Sequence, residues 1–399
     1  MKIIISGGWS YGNIGDEVIL KSTDYLVKKY FPNDDVIYTS YCPTQFEKEY
    51  NQAVVKSIHR YWKDVEANEE IELYRDMTYY VKKLNLEAYE KMFDKDTLFI
   101  MSGGGYFMSI WPQQFISRIL EIEIAKKMGA KIAVIGQSIG PIVDEKSQKL
   151  FSDIMIKCDY INVRDEMSKR LIECLCPGIN VRLGSDIAII IDEVFPQYRN
   201  ISERENVNMT VMGLAKYVGI DTKKSSNSLV DKVRNLLSFK YMRYTNSFKQ
   251  IVRNLANNNS KVHFVMSTNW DSYVKFSKKI TSGVDESNYT INCNLDVEQM
   301  CKLIAKGGFI ISTKLHPIIV ASSYGIESVA VSYNYKVDEF MKAIGREKYC
   351  YKNIEIDENQ IIEDYSNRIG KISNYQMERV NLMKKNVHEM FQDLCMYVK

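Results

Sequence analysis

Along the chain, short runs of consecutive apolar residues alternate with amphipathic stretches almost from end to end. "KIIIS" is apolar at successive positions, the pattern of a strand buried on both faces. A helix is predicted next, over residues 16–30, with Val18, Ile19, Tyr25 and Leu26 at near-helical spacing. "DVIYTS", "TLFIMS", "KIAVIG", "YINVRD" and "DIAIII" repeat the strand signal, and helices are predicted near 114–128 and 145–157 and over "EMSKRLIECL". Residues 51–95 interrupt the rhythm. They are charged and aromatic, and "NEEIELYRDMTYYVKKL" predicts a helical insertion. The second half resumes with strands at "MTVMGL", "KVHFVMST", "NYTINC", "GFIIS" and "ESVAVSY", separated by helical patterns. Residues 223–240, with "KKSSNS", are expected to be an exposed insertion, and the tail from about 358 reads as two helices.

Continuous apolar strands alternating with helices imply parallel sheets covered on both faces. The polar stretch 201–206 marks the expected division between two such halves. The predicted fold class is therefore α/β: two Rossmann-like doubly wound domains facing a cleft. The first spans 1–200, on the acceptor side and with the helical insertion at 51–95. The second spans 201–375 and carries His316, and a helix at 376–399 packs back on the first. Ligands of open parallel sheets collect at the carboxyl ends of the strands. That is where this chain puts its glycines and its unusual polar residues.

Charge narrows the partners. The formal net charge is +3, with no dense Lys/Arg block, which argues against nucleic acid. No secretory signal is apparent at the start, and no apolar run approaches the roughly 20 residues that span a bilayer. The eight cysteines are scattered, Cys174 and Cys176 lack C-x-x-C spacing, and four histidines give no zinc signature. The expectation is a cytoplasmic protein with free thiols and no metal.

The candidate chemistry lies in six segments. "GGWSYGNIGDE" follows the first strand and leads into a helix, yet it is neither a P-loop nor a G-x-G-x-x-G fingerprint. Asp16 there is either the helix N-cap or a site residue. "SGGGYF" places Gly104 and Gly105 where backbone and ligand can approach closely. In "GQSIGP", Ser138 is set either to donate to an oxyanion or to cap the next helix. "VRDEMS" puts Arg164 at a strand's carboxyl end, suited to phosphate or carboxylate; the alternative is a surface ion pair with Asp165 or Glu166. "LGSDIA" sets Asp186 in a comparable loop. "STKLHPIIVASSYG" is the most pointed of all. His316 stands at a predicted helix start, Pro317 suits the first turn, and Lys314 lies two residues earlier on extended chain. A lysine, a histidine and helix N–H groups together make a pocket for a phosphate or carboxylate with a proton-transfer group beside it. His59, His263 and His388 lack such company and read as structural.

Taken in order, "GGWSYGNIGDEVIL", "SGGGYF", "IGQSIGP", "VRDEMSKRLI", "LGSDIA" and "STKLHPIIVASSYGIESVAVSYNYKV" make the chain similar to the polysaccharide pyruvyl transferases. The resemblance covers most of residues 1–344, but not 51–95 or the tail. It implies a fold like that of the GT-B glycosyltransferases, and transfer of pyruvate from phosphoenolpyruvate onto a sugar as a ketal. The family's acid–base histidine falls on His316, and its anion contact falls on Lys314, where arginine is usual. The middle arginine falls on Arg164, and the first-loop aspartate on Asp16. The resulting assignment is His316 and Asp16 as catalytic residues. Lys314, Arg164, Ser138, Gly104 and Gly105 bind the donor, and Asn13 and Asp186 bind the acceptor. No cofactor or metal is implied beyond phosphoenolpyruvate itself as substrate. The partner is a saccharide, lipid-linked or not, and a lipid link would bring the protein to the inner membrane face. Two rival functions share these features: a nucleotide-sugar glycosyltransferase, and a non-catalytic glycan-binding protein of polysaccharide assembly.

Overall fold

Isoleucines at three successive positions of the first strand, Ile3, Ile4 and Ile5, are fully buried, as a strand covered on both faces requires. In the computed structural model, all residues are described except 11, 67–71, 202, 203, 205, 214–238, 269, 270, 354 and 399. The expected insertion at 223–240 lies outside the described residues up to 238.

The first sheet has seven strands: β1 (Lys2–Ser6), β2 (Asp35–Ser40), β3 (Val54–Lys56), β4 (Thr97–Phe107), β5 (Lys131–Ile139), β6 (Tyr160–Val163) and β7 (Arg182–Leu183). Their order is β3-β2-β1-β4-β5-β6-β7, and every neighbouring pair is parallel. The second sheet, among the described residues, has six: β8 (Asn206–Thr210), β9 (Val262–Val265), β10 (Tyr289–Asn292), β11 (Gly307–Ser312), β12 (Glu327–Ser332) and β13 (Cys350–Lys352). Their order is β10-β9-β8-β11-β12-β13, again all parallel. Both sheets are doubly wound. The strand order reverses between β1 and β4 in one and between β8 and β11 in the other, and such reversals open a crevice at the carboxyl edge.

Three expectations need correction. Residues 51–95 are not wholly a helical insertion. Val54–Lys56 pairs with β2 as the sheet's edge strand, too short to show a pattern in sequence. The run "DIAIII" is not a strand but a 3₁₀ turn, Ile187–Ile190, followed by a short helix, Ile191–Val194. A short apolar run cannot distinguish a buried strand from a buried helical turn. The division of the chain moves with it. One unit comprises Met1–Ile187 and Met383–Lys399, the other Ala188–Leu382. Asp192 explains why the polar stretch at 201–206 is not the boundary. Its carboxylate accepts from Ser323 Oγ at 2.7 Å, and its N–H donates to the same oxygen at 3.1 Å, fixing this segment to the second unit. The helix Asn374–Val398 ends in the first unit, where Tyr160 Oη donates to the Met390 carbonyl (3.3 Å) and Lys131 Nζ to that of Val398 (2.9 Å).

Candidate functional site

In the first unit, the loop after β1 is shaped from beneath. Trp9 is buried, and its Nε1 donates to the Thr39 carbonyl at 2.5 Å. Arg118 and Glu121, 3% and 0% exposed, sit on the inner face of the helix Pro112–Lys127. Arg118 donates to Glu121 Oε2, Ser6 Oγ and the Gly7 carbonyl, each at 2.8 Å. Sequence reasoning missed this pair. Its signal is an arginine and a glutamate three apart, on one helix face, inside the largely apolar "FISRILEIEIA".

Asp16 is not the N-cap. Asn13 caps the helix Ile14–Tyr30 by accepting from Gly15 N–H at 3.2 Å, and Asp16 stands in its first turn. The Asp16 carboxylate accepts from Asn13 Nδ2 (2.8 Å) and Tyr106 Oη (3.1 Å). The neighbouring Glu17 accepts from the Ser10 N–H at 2.5 Å and from the Tyr50 hydroxyl. Burial pushes Glu17 up to about 7, against the lowering effect of those two donors.

The glycines of "SGGGYF" belong to β4 rather than to a loop beyond it. Gly104 has φ +86°, and a Cβ there would lie 2.3 Å from the Tyr106 ring. Packing of Tyr106 therefore accounts for Gly104 before any ligand is invoked. Gly105 is half-buried in the same strand.

Ser138, Arg164 and Asp186 are brought together at the ends of β5 and β6. Arg164 Nη1 lies 2.5 Å from Asp186 Oδ2, with the two side chains only 6% and 4% exposed. Arg164 Nε donates to Ser138 Oγ at 2.7 Å, and Ser138 Oγ donates to Asp165 Oδ2 at 2.5 Å. Asp165 in turn caps the helix Glu166–Leu175 through Ser168 N–H. The ion-pair partner of Arg164 is thus Asp186, not its sequence neighbours, and the pair is buried rather than on the surface. Each of the two side chains is thus an internal partner of the other.

In the second unit, β11 ends at Ser312, whose Oγ accepts from the Lys314 N–H (3.0 Å) and donates to the Lys314 carbonyl (2.9 Å). The helix Leu315–Ser323 follows, with Lys314 itself in the N-cap position, extended at φ −107°, ψ 141° and making no side-chain cap bond. Lysine has no acceptor and cannot cap a helix. It also sets a positive charge at the positive end of the helix dipole, an arrangement that an anion would relieve. The Lys314 ammonium lies 5.2 Å from the centre of the Tyr273 ring. His316 is in the helix's first turn; both it and Lys314 are half-buried, and Nε2 of His316 is buried. This segment follows the strand at which the second sheet reverses.

The remaining histidines are held by local structure. Burial, together with the charges of Arg118 and Lys63, pushes His59 down to about 4. His263 Nδ1 is 2.7 Å from Thr290 Oγ1, and His388 Nδ1 is 3.0 Å from Tyr30 Oη. Trp62, Tyr80 and Tyr89 are core residues, whereas Trp111 is 54% exposed. Among the described residues no group of three or more His, Cys, Asp or Glu side chains is arranged to hold a metal ion, and no helix is long and apolar enough to cross a membrane.

A family model for polysaccharide pyruvyl transferase matches residues 13–335. The amylovoran biosynthesis protein AmsJ of Erwinia amylovora is 21% identical over 300 residues, a match covering 69% of this chain and 66% of that protein. Among solved structures, the UDP-GlcNAc 2-epimerase of Methanocaldococcus jannaschii superposes with a TM-score of 0.59 at 10% identity, covering 96% of this chain and 100% of that one. A UDP-glucosyltransferase from Polygonum tinctorium gives 0.54 at 9% identity, over 100% and 98%. These likenesses show a fold resembling GT-B. The family match spans most of the chain, and the chain belongs to the polysaccharide pyruvyl transferase family.

Proposed function

We propose that this member of the pyruvyl transferase family moves pyruvate from phosphoenolpyruvate onto two hydroxyls of a polysaccharide sugar, or of its lipid-linked precursor. The product is a cyclic ketal, and inorganic phosphate is released. The observation that carries the proposal is the Lys314–His316 segment: a lysine at an N-cap and a histidine two residues later in the first turn, both half-buried, after the strand at which the sheet order reverses.

Phosphoenolpyruvate bears about three negative charges near neutral pH. Lys314 and the N–H groups of the helix start answer part of that charge without a metal. The reaction begins with a proton added to the enol methylene, which leaves cationic character on the central carbon. A sugar hydroxyl attacks that carbon and loses its proton, the C–O bond to phosphate breaks, and the second hydroxyl closes the ring with loss of its own proton. One proton is consumed at carbon, two are released from the hydroxyls, and the balance leaves with phosphate. His316 serves as the proton-transfer group. Asp16, its carboxylate oriented by Asn13 and Tyr106, is assigned to the acceptor hydroxyls. Arg164, Ser138 and Asp186 support this chemistry by holding the shape of the β5–β6 edge, rather than by touching the donor.

The test is turnover. The purified chain, given phosphoenolpyruvate and extracts of lipid-linked or free glycans, is expected to release phosphate only when an acceptor is present and to make a ketal that mild acid hydrolyses to pyruvate. Acceptor-independent phosphate release, or hydrolysis of UDP-sugars in its place, would sink the proposal.

A further inference from the structure

A second cavity lies wholly within the first unit, past the carboxyl end of β2. Its volume is about 530 Å³, within the range of small-molecule sites, and Tyr41, Gln45, Lys48, Glu49 and Arg60 line it. Two helices form its walls, Pro43–Tyr50 and Ile58–Glu66, the second following the edge strand β3. Its polar groups are partly preorganised. Arg60 Nε is 3.0 Å from Asp64 Oδ1, and the guanidinium lies 5.4 Å from the centre of the Tyr41 ring. Gln45 Nε2 donates to Glu49 Oε1 at 2.8 Å. The first wall is tied to the helix Ile14–Tyr30 through the Tyr50 hydroxyl on Glu17, next to Asp16, and the β1 loop is tied to β2, which leads into that wall, by Trp9 on the Thr39 carbonyl.

The charges of this cavity exclude the donor. The lining holds two cations, Lys48 and Arg60, and one carboxylate, Glu49, and Arg60 is also engaged by Asp64, so its small net positive charge offers little to a triply charged anion. What it does offer is an aromatic surface, a planar guanidinium fork, a side-chain amide and a carboxylate, which together donate and accept in directions that match ring hydroxyls. We propose that this cavity is a saccharide subsite, holding a sugar unit of the acceptor while the reacting hydroxyls are addressed from the neighbouring β1 loop. Its role as an acceptor subsite rests on the pyruvyl-transfer proposal; its affinity for sugar does not.

The experiment is saturation-transfer NMR on the full chain with methyl glycosides of glucose, galactose and mannose and with N-acetylglucosamine, with ³¹P line broadening of phosphoenolpyruvate measured in the same samples. At least one sugar is expected to receive saturation from the native protein. Arg60→Gln and Gln45→Ala should each weaken that sugar's binding about tenfold or more, or 1.4 kcal/mol, while leaving phosphoenolpyruvate broadening unchanged. Gln45 is exposed on its helix, so its removal leaves the fold intact even if Arg60→Gln does not. The subsite is refuted if no sugar is saturated, or if one is saturated equally in both variants. Sugar binding that responds to the variants, without any phosphoenolpyruvate binding, upholds the subsite and removes the donor proposal instead.

Discussion

The two sheets share a winding order, so the edge after β4 in one corresponds to the edge after β11 in the other. Their chemistry differs. Around the first sheet's edge the arginines are buried: Arg118 is 3% exposed and paired with Glu121, and Arg164 is 6% exposed and paired with Asp186. Buried pairs of this kind fix loops in place, and removing one member leaves an uncompensated charge. At the second sheet's edge the cation is Lys314, half-buried at a helix start that it cannot cap, with His316 two residues beyond in the first turn. A basic residue at a strand's carboxyl end is therefore not by itself a ligand contact. Burial and helix polarity separate the two cases, and they are the reason the proposal gives the donor to Lys314.

The largest expected effect tests the second edge. His316→Gln should cut ketal formation by about 10²–10⁴-fold, the usual range for removing a general acid or base, with circular dichroism and thermal midpoint unchanged. A folded variant that still transfers pyruvate at near-native rate would remove His316 from the chemistry. The next effect sets the edges directly against each other. Arg164→Met breaks the buried ion pair with Asp186 and should cost about 3–5 kcal/mol of stability in urea unfolding. Lys314→Met instead relieves a cation at the positive end of a helix and should stabilise by about 0.3–1 kcal/mol, while weakening phosphoenolpyruvate binding about tenfold. Equal destabilisation by the two substitutions would erase the distinction.

Much of this was legible in the chain itself. Apolar strand runs and amphipathic helices located most of both sheets, because parallel strands buried on both faces are continuously apolar. The Lys314–His316 segment stood out because its residues are close in sequence and flanked by a strand and a helix. What escaped was set by distance or brevity. Asp186 lies far along the chain from Arg164, so its pairing could not be read from "VRDE", and β3 has only three residues. The packing of Tyr106 against Gly104 depends on a left-handed backbone within β4, which no pattern of residue types reveals. The cavity beside Tyr41 draws on two helices separated by an edge strand, with no motif to announce it.

The smallest expected effect probes the first edge through pH. Glu17 accepts from Ser10 N–H and the Tyr50 hydroxyl, yet burial raises it from 4.5 to about 7 in the folded protein. A carboxyl with a raised folded value binds more protons in the folded state than in the unfolded state between those two pH values. Its contribution to stability is thus fully present below about 4.5, declines as pH rises toward 7, and is flat above that. Glu17→Gln removes the titrating group but keeps an acceptor for Ser10. The native protein should lose stability relative to Glu17→Gln as pH increases from about 4.5 to 7, and the two should then run parallel up to pH 8.5. Urea midpoints measured at half-unit steps decide it. Curves that stay parallel across the whole interval would mean that the two donors hold the carboxylate ionised and that burial does not govern this side chain.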